Sequence, residues 1–366
     1  MARLSVSSET EVVDVVRAAR DARRTLEIAG HGTKRGLGRP VECDDVLDLS
    51  QLSGVVKYEP DEMVITARAG TPVAEIEAAL AEKDQRLGFE PADWGPLYGA
   101  PANAATIGGV LAADANGSAA IRYGRCRDHL LGFRAVNGFG EAYKAGGKVV
   151  KNVTGFDVPK LMCGAMGTLG PMTEVTLRAF PRPPISEVFD SCGLSPERGF
   201  ALLLRAWSRP LESTGLAFVN GVAFVRLEGS RAALDEKIKL LRKFSETAPQ
   251  AAAIFHNIAS GRIVSSAKTV LWRVHIPPMN AANFIAETKP AVWCADWAGG
   301  LLWVESDRYL HAIAWEFDAR AIRMRGDKSI PPFAQEDPVR AELTKRVKAA
   351  FDPLRLFNPG RMWDGV

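Results

Sequence analysis

Between Gly88 and Gly170 the chain is written largely in glycine and other small residues, and this texture limits what the rest can fold into. One run, Pro101-Ala-Asn-Ala-Ala-Thr106-Ile107-Gly108-Gly109, continues through Asn116-Gly117 to Tyr123-Gly124. Another starts at Lys151-Asn-Val-Thr-Gly155-Phe-Asp157, passes Leu161 and Gly164-Ala-Met-Gly167-Thr168-Leu169-Gly170, and ends in Thr173-Glu174-Val175. Such a stretch is either poorly ordered or a set of close backbone approaches to a ligand. Ile, Leu, Val and Phe recur among the glycines at strand-like spacing, which argues against disorder. Paired glycines followed by alanines let a backbone pass against a flat ring or a sugar-phosphate, where a large side chain would block the approach.

A third small-residue run lies earlier, at Ala29-Gly-His-Gly-Thr-Lys-Arg-Gly-Leu-Gly38. Successive N–H groups in a tight turn make a concave anion site, and two cations accompany them. Other readings compete. A Rossmann fingerprint needs the loop to open a helix, whereas Arg39-Pro40 and an extended stretch follow here. A Walker loop needs G-x-x-x-x-G-K-[ST], a string absent from the chain. A plain surface turn is the remaining alternative.

The regular elements predict an α+β fold. Ser8-Glu9-Thr10-Glu11 is a capping box before an amphipathic helix carrying Val12, Val16 and Ala19. Short strands are expected at 25–29, 46–49 and 64–69, with a second helix from Thr71-Pro72. Thr173 to Ala179 alternates as a half-buried strand and runs into Pro181-Arg182-Pro183-Pro184, the expected domain boundary. Beyond it, Asn220-Gly221 between two apolar runs signals a hairpin. Helices are expected over 230–246, over 307–321 and from Asp337-Pro338, with strands at 270–276 and 301–304. The 366 residues therefore divide into a domain at 1–183, a smaller α+β domain of antiparallel sheet and helices at 184–340, and a C-terminal return at 341–366.

Several function classes are disfavoured. A formal charge of +3 is too small to argue for nucleic acid or an acidic membrane surface. No apolar run approaches a membrane span, and the N-terminus lacks a secretory core, so a cytoplasmic location is expected. Five scattered cysteines without a C-x-x-C indicate neither zinc, a disulfide framework nor an iron–sulfur cluster. The five histidines share no metal-ligand spacing, so no metal is expected. His275 alternates with Val274 and Ile276 and reads as structural. Six of the eight tryptophans fall between Trp207 and Trp315 and read as core and domain-interface packing.

Taken in order, the loop, T-I-G-G with a downstream N-G, Y-G, K-x-x-x-G-F-D and G-T-L-G-x-x-T-E-x-T resemble the FAD-binding domain of the vanillyl-alcohol oxidase/p-cresol methylhydroxylase superfamily. The resemblance covers residues 5 to 183. The closing Phe357-Asn358-Pro359-Gly360-Arg361 resembles the terminus of its glycolate- and D-lactate-oxidising branch. Total length, the loop, G-x-V-V-K-N-V-T-G-F-D and D-W-A-G-G resemble the small flavin subunits of bacterial glycolate oxidase complexes.

The resemblance implies a two-subdomain FAD-binding domain with a smaller cap. Gly30, His31, Gly32, Thr33 and Lys34 would surround the pyrophosphate. Pro101, Thr106, Gly108, Gly109, Asn116 and Gly117 would line the flavin and ribityl side. Gly167, Thr168, Gly170 and Val175 would pack near the adenine or diphosphate, and Asn358 would return toward the isoalloxazine. Thr33 stands where relatives with a covalent 8α-histidyl flavin carry histidine, so non-covalent FAD is expected. The implied activity is oxidation of glycolate or another 2-hydroxy acid beside a larger flavoprotein and an iron–sulfur subunit, through which the chain could reach the inner membrane peripherally. Nothing in residues 184 to 340 resembles the H-x-G-D-G-N-x-H segment of free-standing relatives. A self-sufficient D-lactate-type dehydrogenase and a flavin-free structural subunit remain as alternatives. No catalytic base is assigned; His311 and Arg325 are named only as guesses.

Overall fold

The first helix starts where the sequence caps it. Ser8 is extended at φ −136°, its side chain accepts from the Glu11 amide, and α1 runs Glu9–Ala22. Val12, Val16 and Ala19 form its buried stripe and join Leu26, Leu47 and Phe357 in one apolar cluster. The valines, leucines and phenylalanine of this cluster each contribute about 1.5–3 kcal/mol by leaving water, and Ala19 less. The computed structural model describes residues 1–147, 157–208, 210–246, 248–250, 253–264 and 269–366, so Lys151, Gly155 and Phe156 of the G-F-D cluster lie outside the described residues.

The chain forms two units. The first comprises Met1–Ala115, Arg125–Pro181 and Gln335–Val366; the second comprises Asn116–Gly124 and Arg182–Ala334. In the first unit, β1 (Ala2–Ser5), β2 (Leu26–Ala29) and β3 (Asp45–Asp48) make a parallel sheet in the order β1-β3-β2. Then follow β4 (Val55–Glu59), β5 (Val64–Arg68), β6 (Gln85–Arg86), β7 (Leu130–Val136), β8 (Ala142–Gly146), β9 (Met172–Arg178) and β10 (Phe180–Pro181). An antiparallel sheet has the order β4-β5-β9-β7-β8, and β6 pairs with β10. Two further helices matter here, α2 (Val73–Ala81) and α3 (Ile107–Ala113).

The second unit is built on one antiparallel sheet. Its strands are β11 (Ile185–Ser191), β12 (Gly215–Val219), β13 (Val222–Gly229), β14 (Ala248–Gln250), β15 (Leu271–His275), β16 (Val292–Asp296), β17 (Leu301–Glu305) and β18 (Arg320–Arg325). Their order is β14-β11-β13-β12-β16-β17-β15-β18. The β12–β13 hairpin turns at Asn220 (φ 49°) and Gly221 (φ 79°), the positive-φ pair that an Asn-Gly turn supplies. One face of the sheet packs Phe218, Trp272 and Val274 against Phe200 and Phe284.

Several expectations are corrected. Asn116–Gly124 groups with the second unit, not with the domain that surrounds it in sequence. There Ser118 Oγ donates to Asp296 Oδ2 at 2.5 Å, and Trp297 Nε1 donates to the Gly117 carbonyl at 3.1 Å. The helix expected over 307–321 spans only Leu310–Glu316; Asp318, at φ 54°, turns the chain into β18. The helix expected over 230–246 ends at Arg242. Trp207 and Trp315 are 49% and 79% exposed, so they are not core residues.

Candidate functional site

β2 delivers the chain into the glycine-rich loop, which two backbone bonds fold tightly. The Arg35 amide donates to the Gly32 carbonyl at 3.2 Å and the Leu37 amide to the Lys34 carbonyl at 3.0 Å. Gly32 sits at φ 72°, where a side chain would be strained. Gly30 has a different reason to lack one: a Cβ there would lie 2.6 Å from Thr106 Oγ1. Thr106 caps α3, its hydroxyl accepting from the Gly109 amide at 3.3 Å.

A cleft of about 530 Å³ opens between this loop and α3. Gly30, His31, Gly32, Thr33, Lys34, Thr106, Gly109 and Asn358 all line it. A second lobe of about 450 Å³ includes Gly108, Gly167 and Gly170. Ile28, Gly30, Thr106, Gly109, Ala112 and Met166 border both lobes. The whole cleft lies in the first unit.

Its electrostatics centre on Lys34, which is 9% exposed. Nζ donates to Thr33 Oγ1 at 3.3 Å. Burial pulls the ammonium down to about 8, and the charge of Asp93 opposes this. Nearby Glu27 is already balanced: Arg35 Nε donates to its Oε1 at 2.8 Å, and Arg361 Nη1 lies 3.5 Å away. His31 is on the exposed rim, with Nδ1 donating to the Ala104 carbonyl at 2.8 Å.

Two C-terminal residues hold the walls together. Asn358 Oδ1 accepts from the Ile28 amide at 2.8 Å, and Nδ2 donates to the Met166 carbonyl at 2.7 Å. Arg361 Nη2 donates to the Lys34 and Arg35 carbonyls, each at 3.1 Å. Arg361 was not among the residues expected at the site. The only signal for it was its place in F-N-P-G-R.

Five expected residues do not line either lobe. Pro101 is exposed in a loop. Thr168 lines neither lobe, and its hydroxyl donates to the Ala165 carbonyl at 2.7 Å. Val175 is fully buried in β9 between Ala67 and Phe133. Asn116 and Gly117 belong to the second unit. There His311 Nε2 meets the Pro331 carbonyl at 2.8 Å and Arg325 lies 3.6 Å from Glu305. His275 Nε2 lies 2.6 Å from Arg273 Nη1 and so acts as acceptor, since a guanidinium only donates. Among the described residues no cluster of His, Cys, Asp and Glu could hold a metal.

Residues 2–146 match the FAD binding domain family. The glycolate oxidase subunit GlcE of Escherichia coli is 33% identical over 363 residues, 96% of each chain. This chain belongs to the same family of FAD-binding oxidoreductases. The D-2-hydroxyglutarate dehydrogenase of Xanthomonas citri pv. viticola is 34% identical over 184 residues, 50% of this chain and 37% of that one. The crystal structure of p-cresol methylhydroxylase superposes with a TM-score of 0.76 over 99% of this chain and 88% of that chain. At 15% identity that likeness shows a common fold.

The cleft fits FAD on its own chemistry. The loop offers backbone N–H groups beside a buried ammonium, the donor set that a pyrophosphate needs. Gly109, Ala112 and Ala113 give a floor of small residues on which a flat or extended group can lie.

Proposed function

We propose that the chain is the FAD-binding subunit of an oxidoreductase complex that converts a 2-hydroxy acid such as glycolate to the corresponding 2-oxo acid. The full-length likeness to a glycolate oxidase subunit carries the reading, and the buried Lys34 beside the glycine loop supports the place given to the cofactor. Oxidation of a hydroxyl-bearing carbon needs a two-electron acceptor, which FAD supplies when bound.

In this reading Gly30, Gly32, Thr33 and Lys34 hold the pyrophosphate, Gly109 and Ala112 give the cofactor room, and Asn358 and Arg361 fix the loop behind it. Thr33 stands where a histidyl link would require histidine, and His31 lies two positions earlier, so in this reading FAD is held without a covalent bond. A larger flavoprotein and an iron–sulfur subunit receive the electrons. Among the described residues no helix is long and apolar enough to cross a membrane.

The D-lactate-type dehydrogenases match about half of this chain, so they support the FAD domain and leave the subunit role unopposed. The test is spectroscopic. The purified chain is expected to be yellow, with glycolate bleaching it fully only when the partner subunits are present. A colourless chain that takes up no added FAD contradicts the proposal. Rapid bleaching by D-lactate or glycolate without partners favours a self-sufficient dehydrogenase.

A further inference from the structure

The C-terminal helix, Pro338–Phe351, buries a lysine where an amphipathic helix would bury an apolar residue. Lys348 is 1% exposed and Asp352 fully buried. Lys348 Nζ donates to Asp352 Oδ2 at 2.8 Å, to the Thr168 carbonyl at 2.6 Å and to the Phe357 carbonyl at 2.9 Å. Those bonds use all three ammonium donors. Asp352 Oδ1 accepts from the Leu356 amide at 2.9 Å, and Oδ2 accepts from the Phe357 amide at 2.8 Å.

Every one of these bonds ends within the pair, on the Gly167–Gly170 turn, or on the segment that leads directly to Asn358 and Arg361. A packed apolar pair would fill the same volume without removing two ions from water, so net stability is a poor reason for the charges. Directionality is a better one. Apolar side chains cannot fix the Thr168 and Phe357 carbonyls and the Leu356 and Phe357 amides relative to one another. The register set here passes to Asn358, which ties β2 to Met166, and to Arg361, which holds the carbonyls of Lys34 and Arg35.

We propose that Lys348 and Asp352 are positioning residues for FAD: their buried pair docks residues 353–361 so that Asn358 and Arg361 hold the cofactor cleft in its receptive shape. FAD binding and docking of the C-terminal segment are then coupled. The inference rests on the placement of FAD in this cleft. Neither residue lines the cleft; both act through the backbone they hold. Coupling is reciprocal, so FAD must also stabilise the docked segment.

The test uses the full chain. Hydrogen exchange at the Leu356, Phe357 and Asn358 amides is followed in the wild-type apoprotein with and without FAD. FAD affinity and the melting temperature of the apoprotein are measured for wild type, Lys348→Met and Asp352→Asn. FAD is expected to slow exchange at the three amides in wild type. Each variant is expected to bind FAD between about 5- and 150-fold more weakly, the usual range of coupling between sites. A lower apoprotein melting temperature with unchanged FAD affinity overturns the proposal, because that is the result of a structural role alone. Equal exchange with and without FAD in wild type also overturns it, and that reading needs no variant to fold. A wild-type chain that takes up no FAD overturns the cofactor placement itself and is distinguished before any variant is made.

Discussion

If the pyrophosphate of FAD lies beside Lys34 as proposed, the affinity for FAD depends on pH, with a sign fixed by the burial of the lysine. Burial lowers its ammonium from 10.5 to about 8, against the opposing charge of Asp93. That change corresponds to roughly 3 kcal/mol in favour of the neutral amine in the unliganded protein. Between pH 8 and 10.5 the unfolded chain keeps a proton here that the folded apoprotein releases, so through Lys34 the apoprotein gains stability as pH rises across that window. A pyrophosphate beside the amine restores the preference for the charged form. Binding then takes up a proton above pH 8, and the dissociation constant rises by up to about tenfold per pH unit. From pH 7 to 9.5 the loss of affinity is about 30-fold. Glu27 is held by Arg35 and Arg361, which leaves Asp93 as the carboxylate acting on Lys34. The assay is quenching of flavin fluorescence on titrating apoprotein into FAD at a series of pH values, for wild type and Lys34→Met. Methionine keeps the volume and removes the charge, so the variant should bind more weakly at pH 7 and show no such slope. A wild-type dissociation constant that stays level to pH 9.5, or equal slopes in the two proteins, refutes the reasoning.

Gly109→Val should abolish FAD retention in a folded protein, because a Cβ there meets only Thr106 Oγ1, at 3.2 Å, and the rest of the side chain enters the cleft. Gly108→Val should instead lower the melting temperature, since its Cβ would lie 2.9 Å from both the Cβ and the carbonyl of Ala69; equal stability of the two variants would contradict these placements. Asn358→Ala leaves the Ile28 amide and the Met166 carbonyl without partners and should cost about 2–4 kcal/mol in urea unfolding. Acid precipitation of the holoprotein should leave the yellow colour in the supernatant, and colour in the pellet would show a covalent flavin.

What the sequence made legible was local. The cap at Ser8, the Asn220-Gly221 turn and the alternation of Thr173–Ala179 each concern neighbours within a few residues, and the structure forms α1, the β12–β13 hairpin and β9 there. Arg320-Ala-Ile-Arg-Met-Arg reads as well in a helix as in a strand. Its pairing with Leu271–His275 at the sheet edge decides for β18, and that partner lies about fifty residues away. Asn116–Gly124 joins the second unit through Asp296 and Trp297, contacts that no pattern within the segment encodes. Lys348 follows the same rule, since on a helix with Lys345 and Arg346 nothing marks it as the buried cation.

Several glycines of these clusters border one cleft, for a reason the sequence did not state. A glycine signals that something approaches the backbone closely but does not say what. Gly30 admits the Thr106 side chain, Gly108 admits Ala69, and a Cβ on Gly167 would lie 2.6 Å from Asn358 Nδ2. In each case the visitor is another wall of the cleft. These glycines therefore record how the loop, α3 and the C-terminal turn are drawn together, which is why their order along the chain carries more information than any one motif. In the proposed placement of FAD, the chemistry facing the cofactor falls to fewer groups: Lys34 with its buried charge, the backbone of the Gly30–Lys34 turn and the open side of Gly109. All three can be named from sequence, but the burial of the lysine, which sets its proton affinity, comes from tertiary structure alone.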